Sequence, residues 1–258
     1  MEGHLIEKQQ PDETPWTIQQ TFLGIILTIV PWVVLSIALN AIGGKPVHNT
    51  PLSLQADLAA AIITFIFSSL VEGAFLIAPL YFANRAFRSI ARHTQLALQA
   101  LGFRRFNASV VFSWIVLLLL VILAANFLYS YLIQTFHLPL QTNDQLLLMY
   151  SKNAPLTTYA TLLVAVLVAP VCEEVFFRGF VFPGLLGGMP VGWAIVLSSL
   201  IFAVAHADPG SFIVLFIIGL ALAFLRWRTK SIWPCILLHA LNNGVAALAI
   251  VLAMRGRI

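Results

Sequence analysis

The run from 108 to 135 has no charged side chain in 28 consecutive residues, and this restricts where the chain can fold. As a helix it would extend about 42 Å, more than the roughly 30 Å of a bilayer's hydrocarbon core. Six further apolar runs lie at roughly 20–42, 58–83, 156–178, 191–207, 211–228 and 231–253. About 20 apolar residues suffice for one crossing. In lipid the backbone must satisfy its own hydrogen bonds, so these runs are helices. The expected fold class is all-α: a polytopic transmembrane helical bundle enclosing a polar intramembrane cavity. It has seven spans, or eight if a re-entrant or split element occupies 180–193. Composition agrees, with 60% hydrophobic and 9% charged residues, against about 25% charged in soluble domains. Pro31 and Pro79 interrupt the first two spans, which neighbouring helices can accommodate.

Charge distribution orients the bundle. Seven spans place Lys8, Arg85, Arg88, Arg92, Arg104, Arg105, Arg178, Arg226, Arg228 and Lys230 towards one side, and Lys45, Lys152, Arg255 and Arg257 towards the other. Cytoplasmic loops carry the excess of Lys and Arg, so the N-terminus is expected to be cytoplasmic. The net charge of +4 is thereby assigned to membrane topology, and no nucleic-acid partner is expected. Residues 1–19 hold Glu2, Glu7, Asp12 and Glu13 against Lys8, unlike the basic start of a secretory signal. The expected organisation is a cytoplasmic segment 1–19, N-terminal spans over 20–154 with a basic loop at 84–107, a chemistry-bearing unit at 155–253, and a tail at 254–258. Within the basic loop, 86–106 is either an amphipathic interfacial helix or a solvated loop. Cys172 and Cys235 lack the spacing of a metal site or disulfide framework and read as buried thiols.

Ionisable residues inside spans are costly and mark function. The fourth run holds Glu173, Glu174 and Arg178 within six residues. Glu174 and Arg178 share a helix face in the favourable order for an ion pair, while Glu173 points elsewhere. The division suggests a structural pair and a separate carboxylate free for chemistry; a single packing network is the alternative. His239 and Asn243 also share a face, with Asn242 on the neighbouring one, and a histidine and an amide one turn apart can donate to one oxygen acquiring negative charge. His206 closes the fifth run. Glu72 is a further intramembrane acid, free to pair with Arg178 or another of these residues.

Glu-Glu-x-x-x-Arg at 173–178, Phe-x-x-x-His at 202–206 and His-x-x-x-Asn at 239–243 resemble the three motifs of the CAAX prenyl protease and bacteriocin-processing (Abi) family over roughly 155–250. The resemblance implies an intramembrane endopeptidase related to the type II CAAX endopeptidase. Glu173 would be the general base activating water, His206 would position or polarise that water, and His239 and Asn243 would stabilise the oxyanion. Glu174 and Arg178 would hold the site together. The implied partners are the lipid bilayer and a membrane-associated or lipid-modified peptide or protein, in a prokaryotic inner membrane. No cofactor is required on this reading; the rival is a zinc site of Glu173, His206 and His239. A transporter, scaffold or immunity protein using the same polar cluster is the alternative from another class.

Depth constrains this constellation. Counted from the arginine-rich ends of the runs, Glu173 lies about 7 Å deep, His239 about 12 Å and His206 about 22 Å. The three meet only if the fourth helix continues past Arg178 and the fifth starts after Trp193, leaving 184–190 as an irregular connection.

Overall fold

The computed structural model describes residues 14–42, 50–90 and 93–256. Lys8, Lys45, Arg92 and Arg257, used above to orient the chain, lie outside these residues. Among the described residues nine helices follow in order: α1 (Ile18–Ile42), α2 (Leu54–Phe87), α3 (His93–Ala100), α4 (Ala108–Thr135), α5 (Asn143–Ser151), α6 (Pro155–Leu186), α7 (Val191–Ala205), α8 (Phe212–Thr229) and α9 (Trp233–Met254). Six are long and apolar enough to cross a membrane, whereas α7 is a shorter apolar helix of 15 residues, about 22 Å long. The seven expected runs are therefore all helical, with the fifth too short for a full crossing.

The helix α6 is the axis of the bundle. Its stretch from Cys172 to Leu185 is buried throughout, while α1, α2 and α4 expose apolar side chains such as Leu27, Leu70, Ile77, Phe112 and Phe127 around it. This outward-facing shell is what a lipid solvent stabilises. Asp57 of α2 accepts from the backbone N–H groups of Leu156 (2.8 Å) and Thr157 (3.0 Å), capping the first turn of α6 from another helix. Ala154, the residue preceding α6, makes no side-chain cap, so Asp57 supplies the anionic acceptor that a helix start favours.

Two interruptions shape α6. Its segments Val164–Val168 and Val175–Val181 are π-helical, and each ends two residues before a proline. Ala169 N–H bonds to the Val164 carbonyl and Phe182 N–H to the Phe177 carbonyl, both five residues back. In that register the next donors would be Pro170 and Pro183, which have no N–H. The carbonyls they would have served are taken by side chains from other helices. Asn243 Nδ2 donates to Ala165 (2.8 Å) and Arg226 Nε to Arg178 (3.0 Å). Each break in α6 is thus also a tether to α8 or α9.

Contacts define two ends of the bundle. At one, Ile232 N–H bonds to the Gly102 carbonyl (3.0 Å) and Ser231 Oγ to that of Arg104 (2.7 Å). At the other, Asp208 accepts from Asn143 N–H and Ser211 N–H (both 3.1 Å), and Tyr129 Oη donates to the Gly210 carbonyl (2.8 Å). The first end gathers Arg104, Arg226, Arg228 and Lys230. Within 86–106, Ala86 and Phe87 end α2 and eight further residues form α3. Cys172 and Cys235 are free and buried.

The continuation of α6 to Leu186 removes part of the depth conflict. The irregular connection is 187–190, shorter than expected, and α7 starts at Val191 rather than after Trp193. Pro190 precedes α7 in an extended conformation, φ −57° and ψ 147°, which fixes that start.

Candidate active site

Glu173 and Glu174 are adjacent in α6 and point to different neighbours. Glu174 is fully buried; its Oε1 accepts from Arg178 Nη1 (3.0 Å) and from His239 Nδ1 of α9 (2.9 Å). Arg178 Nη2 reaches the Gly219 carbonyl of α8 (3.2 Å), and its guanidinium lies 4.4 Å from the centre of the Phe202 ring of α7. One carboxylate and one guanidinium thereby join α6, α7, α8 and α9. Gly219 is needed for this approach, since a Cβ there would lie 2.9 Å from that of Ser199.

Glu173 faces the other way. Its Oε2 lies 3.7 Å from His206 Nε2 and makes no direct hydrogen bond. His206 Nδ1 is 2.8 Å from the Phe202 carbonyl. A carbonyl only accepts, so Nδ1 carries the proton, and in the neutral ring Nε2 is left as an acceptor turned towards Glu173. The Phe202 ring separates the two histidines, with its centre 4.5 Å from that of His206 and 5.8 Å from that of His239. Glu72 of α2 is within electrostatic range of Glu173, and both leave Oε2 buried without a hydrogen bond. It is therefore a neighbour of Glu173.

His206, His239, Asn242 and Asn243 line a cavity of about 400 Å³ with Phe202. Its lining extends to the Asp208 end, where it includes Asn143, Asp144 and Ser211. Glu173 is not on the cavity wall and is reached past His206. The arginine-rich end is closed by Phe177, Arg178 and Phe180, all fully buried, and by Leu101, whose carbonyl packs against Gly179. Among the described residues, no three His, Cys, Asp or Glu side chains are placed to hold a metal ion. His239 is paired with Glu174 and His206 lies near Glu173, so the three zinc candidates divide between two separate pairs.

Asn243 has the role least apparent from its motif. Its amide already donates to Ala165 and its Oδ1 accepts from Asn242 Nδ2 (3.3 Å), leaving one N–H towards the cavity. Sequence reasoning placed Arg226 among the loop charges, but it is buried and braces the Arg178 carbonyl. The available signal was Pro183, five residues after Arg178. Trp32 also went unnoticed: its Nε1 donates to the Ala205 carbonyl beside His206 (2.8 Å).

A family model described as type II CAAX prenyl endopeptidase Rce1-like matches residues 155–245. The Bacillus subtilis (strain 168) protein named "Putative membrane peptidase YdiL" is 34% identical over 101 residues, 39% of this chain and 40% of that protein. The chain thus matches less than half the length of this relative. No solved structure matches the chain significantly. The matched segment contains all three motifs and every residue of the two carboxylate–histidine pairs, so the similarity to the type II CAAX prenyl endopeptidases falls on the residues that build the site.

Proposed function

We propose that the protein is an intramembrane endopeptidase that hydrolyses a peptide bond of a membrane-associated or lipid-modified peptide or protein, using water activated by Glu173. The supporting observation is the Glu173–His206 pair. At 3.7 Å the groups are too far apart for a direct hydrogen bond, yet one water can touch both. With Nδ1–H held by Phe202, Glu173 Oε2 and His206 Nε2 are both acceptors, so that water donates to each and presents a lone pair to a substrate carbonyl. Glu173 takes the proton as the water attacks. The remaining N–H of Asn243 faces the cavity as a donor for the oxyanion; His239, whose Nδ1–H is held by Glu174, joins it through Nε2 only as the imidazolium. In a dry site one such donor is worth roughly 2.7–4 kcal/mol of barrier. Glu174 and Arg178 position His239.

The test begins with capture. Full-length Glu173→Gln in membranes is expected to retain a polypeptide that wild type cuts, identified by crosslinking and mass spectrometry. A captured polypeptide left intact by wild type would count against the proposal. No step requires a metal, so cleavage is expected to persist after chelation, with well under one zinc per chain by elemental analysis. Loss of cleavage restored by zinc would favour the metal reading.

Orientation follows the same reading. With the N-terminus cytoplasmic in a prokaryotic inner membrane, the Asp208 end of the cavity faces away from the cytoplasm. Cysteine introduced at Asp144 should react with an impermeant maleimide in intact cells, and cysteine at Arg105 only after the membrane is opened. The reverse pattern would invert the orientation.

A further inference from the structure

A second, larger cavity lies outside the polar site. It is a groove of about 950 Å³ between α1 and α2, floored by Trp32, Phe75 and Phe82 and bordered by exposed Leu27, Leu70 and Ile77. Gln20 and Arg85 mark one end, and Leu35 and Phe67 the other. From Leu70 to Arg85 it extends about 22 Å along α2, against about 15 Å for the hydrocarbon of one leaflet. Among the described residues, its only charged lining residue is Arg85. At that end it adjoins a second cavity of about 450 Å³ lined by Leu80, Tyr81, Asn84, Arg85, Arg88 and His93, with Tyr81 and Arg85 common to both. Among the described residues, neither lining contains an acidic residue. Arg85 Nη1 donates to Tyr81 Oη (3.3 Å), which holds the guanidinium at the junction.

An apolar trough of acyl-chain length leading into a basic pocket at the membrane boundary has the charge pattern of an anionic amphiphile. We propose that the groove binds an anionic glycerophospholipid, with an acyl chain against Trp32 and Phe75 and its phosphate between Arg85 and Arg88. The guanidinium of Arg85 forms charge-assisted bonds to phosphate oxygens, and Arg88 and Asn84 supply further donors. The lipid is a structural ligand distinct from the substrate. Its chain covers the outer face of an aromatic wall whose inner face supports the polar site. Phe75 packs on Phe176 (5.3 Å between ring centres) and Phe177 (5.9 Å), and Phe177 on Phe202 (5.1 Å).

Binding can be read without any cleavage assay, so this proposal stands or falls apart from the peptidase reading. Full-length protein in detergent is offered equimolar dioleoyl phosphatidylglycerol and dioleoyl phosphatidylcholine, and retained lipid is measured by native mass spectrometry. Wild type is expected to retain the anionic lipid about tenfold over the zwitterionic one, with Arg85→Gln/Arg88→Gln near parity. Ala74→Phe, which fills the groove from an exposed position, should lower retention of both. Thermal melting without added lipid checks that each variant is folded. Equal retention of both lipids by wild type overturns the proposal, as does an anionic preference that survives loss of both arginines. Displacement of bound phosphatidylglycerol by an equimolar farnesylated peptide also overturns it, because the groove would then belong to substrate.

Discussion

Arg178→Met is expected to unfold the protein or reduce its stability by about 3–5 kcal/mol, the usual cost of removing one partner of a buried ion pair. The guanidinium is 1% exposed and Glu174 0%. Without it, Glu174 keeps its hydrogen bond to His239 and the Gly219 carbonyl loses its side-chain donor. Arg178→Lys should recover only part of the loss, since an ammonium cannot bond Glu174 and Gly219 in one plane while lying flat over Phe202. Thermal unfolding in detergent, followed by tryptophan fluorescence, distinguishes these outcomes. A melting temperature unchanged in Arg178→Met would show that the pair does not hold the helices together.

Glu173→Gln should behave in the opposite way. Glu173 makes no direct hydrogen bond through Oε2, and its replacement leaves the Glu174–Arg178–His239 cluster intact. Stability should change by less than about 1 kcal/mol. Cleavage should fall by about 10²–10⁴-fold, the range for loss of a general base. Measured together, melting temperature and initial rate separate the two carboxylates: loss of Glu173 stops chemistry in a folded protein, whereas loss of Arg178 removes the fold. Equal rates for Glu173→Gln and wild type would eliminate Glu173 as the base.

Helical periodicity alone made the partition of the two glutamates legible. Residues four apart share a face, and the structure joins Glu174 to Arg178 and sends Glu173 to His206. The apolar runs gave seven of the helices, with limits within two residues for α1, α4, α7, α8 and α9. They fell four residues short at each end of α2 and eight short at the end of α6, and α5 lies in none of them. Depth was harder to read because each run was treated as a straight, independent crossing. That fails for α7, which is too short to cross, and for α6, which continues through Arg178 to Leu186. The π segments were also hidden, because Pro170 and Pro183 suggest a kink and do not specify which side chain satisfies the freed carbonyl. Asn243 and Arg226 supply those donors from remote sequence, so no local pattern reveals the match. Buried Arg226 was misassigned for a related reason: an arginine near a helix end reads as a loop charge until its carbonyl partner is known.

The central claim is that Glu173 turns a water molecule on a peptide bond. The most direct measurement is mapping of new C-termini in membranes from cells producing wild type or Glu173→Gln in equal amounts, incubated in ¹⁸O-enriched water. The account expects a defined set of termini carrying ¹⁸O with wild type and none of that set with Glu173→Gln. The same labelled termini in both samples would contradict it.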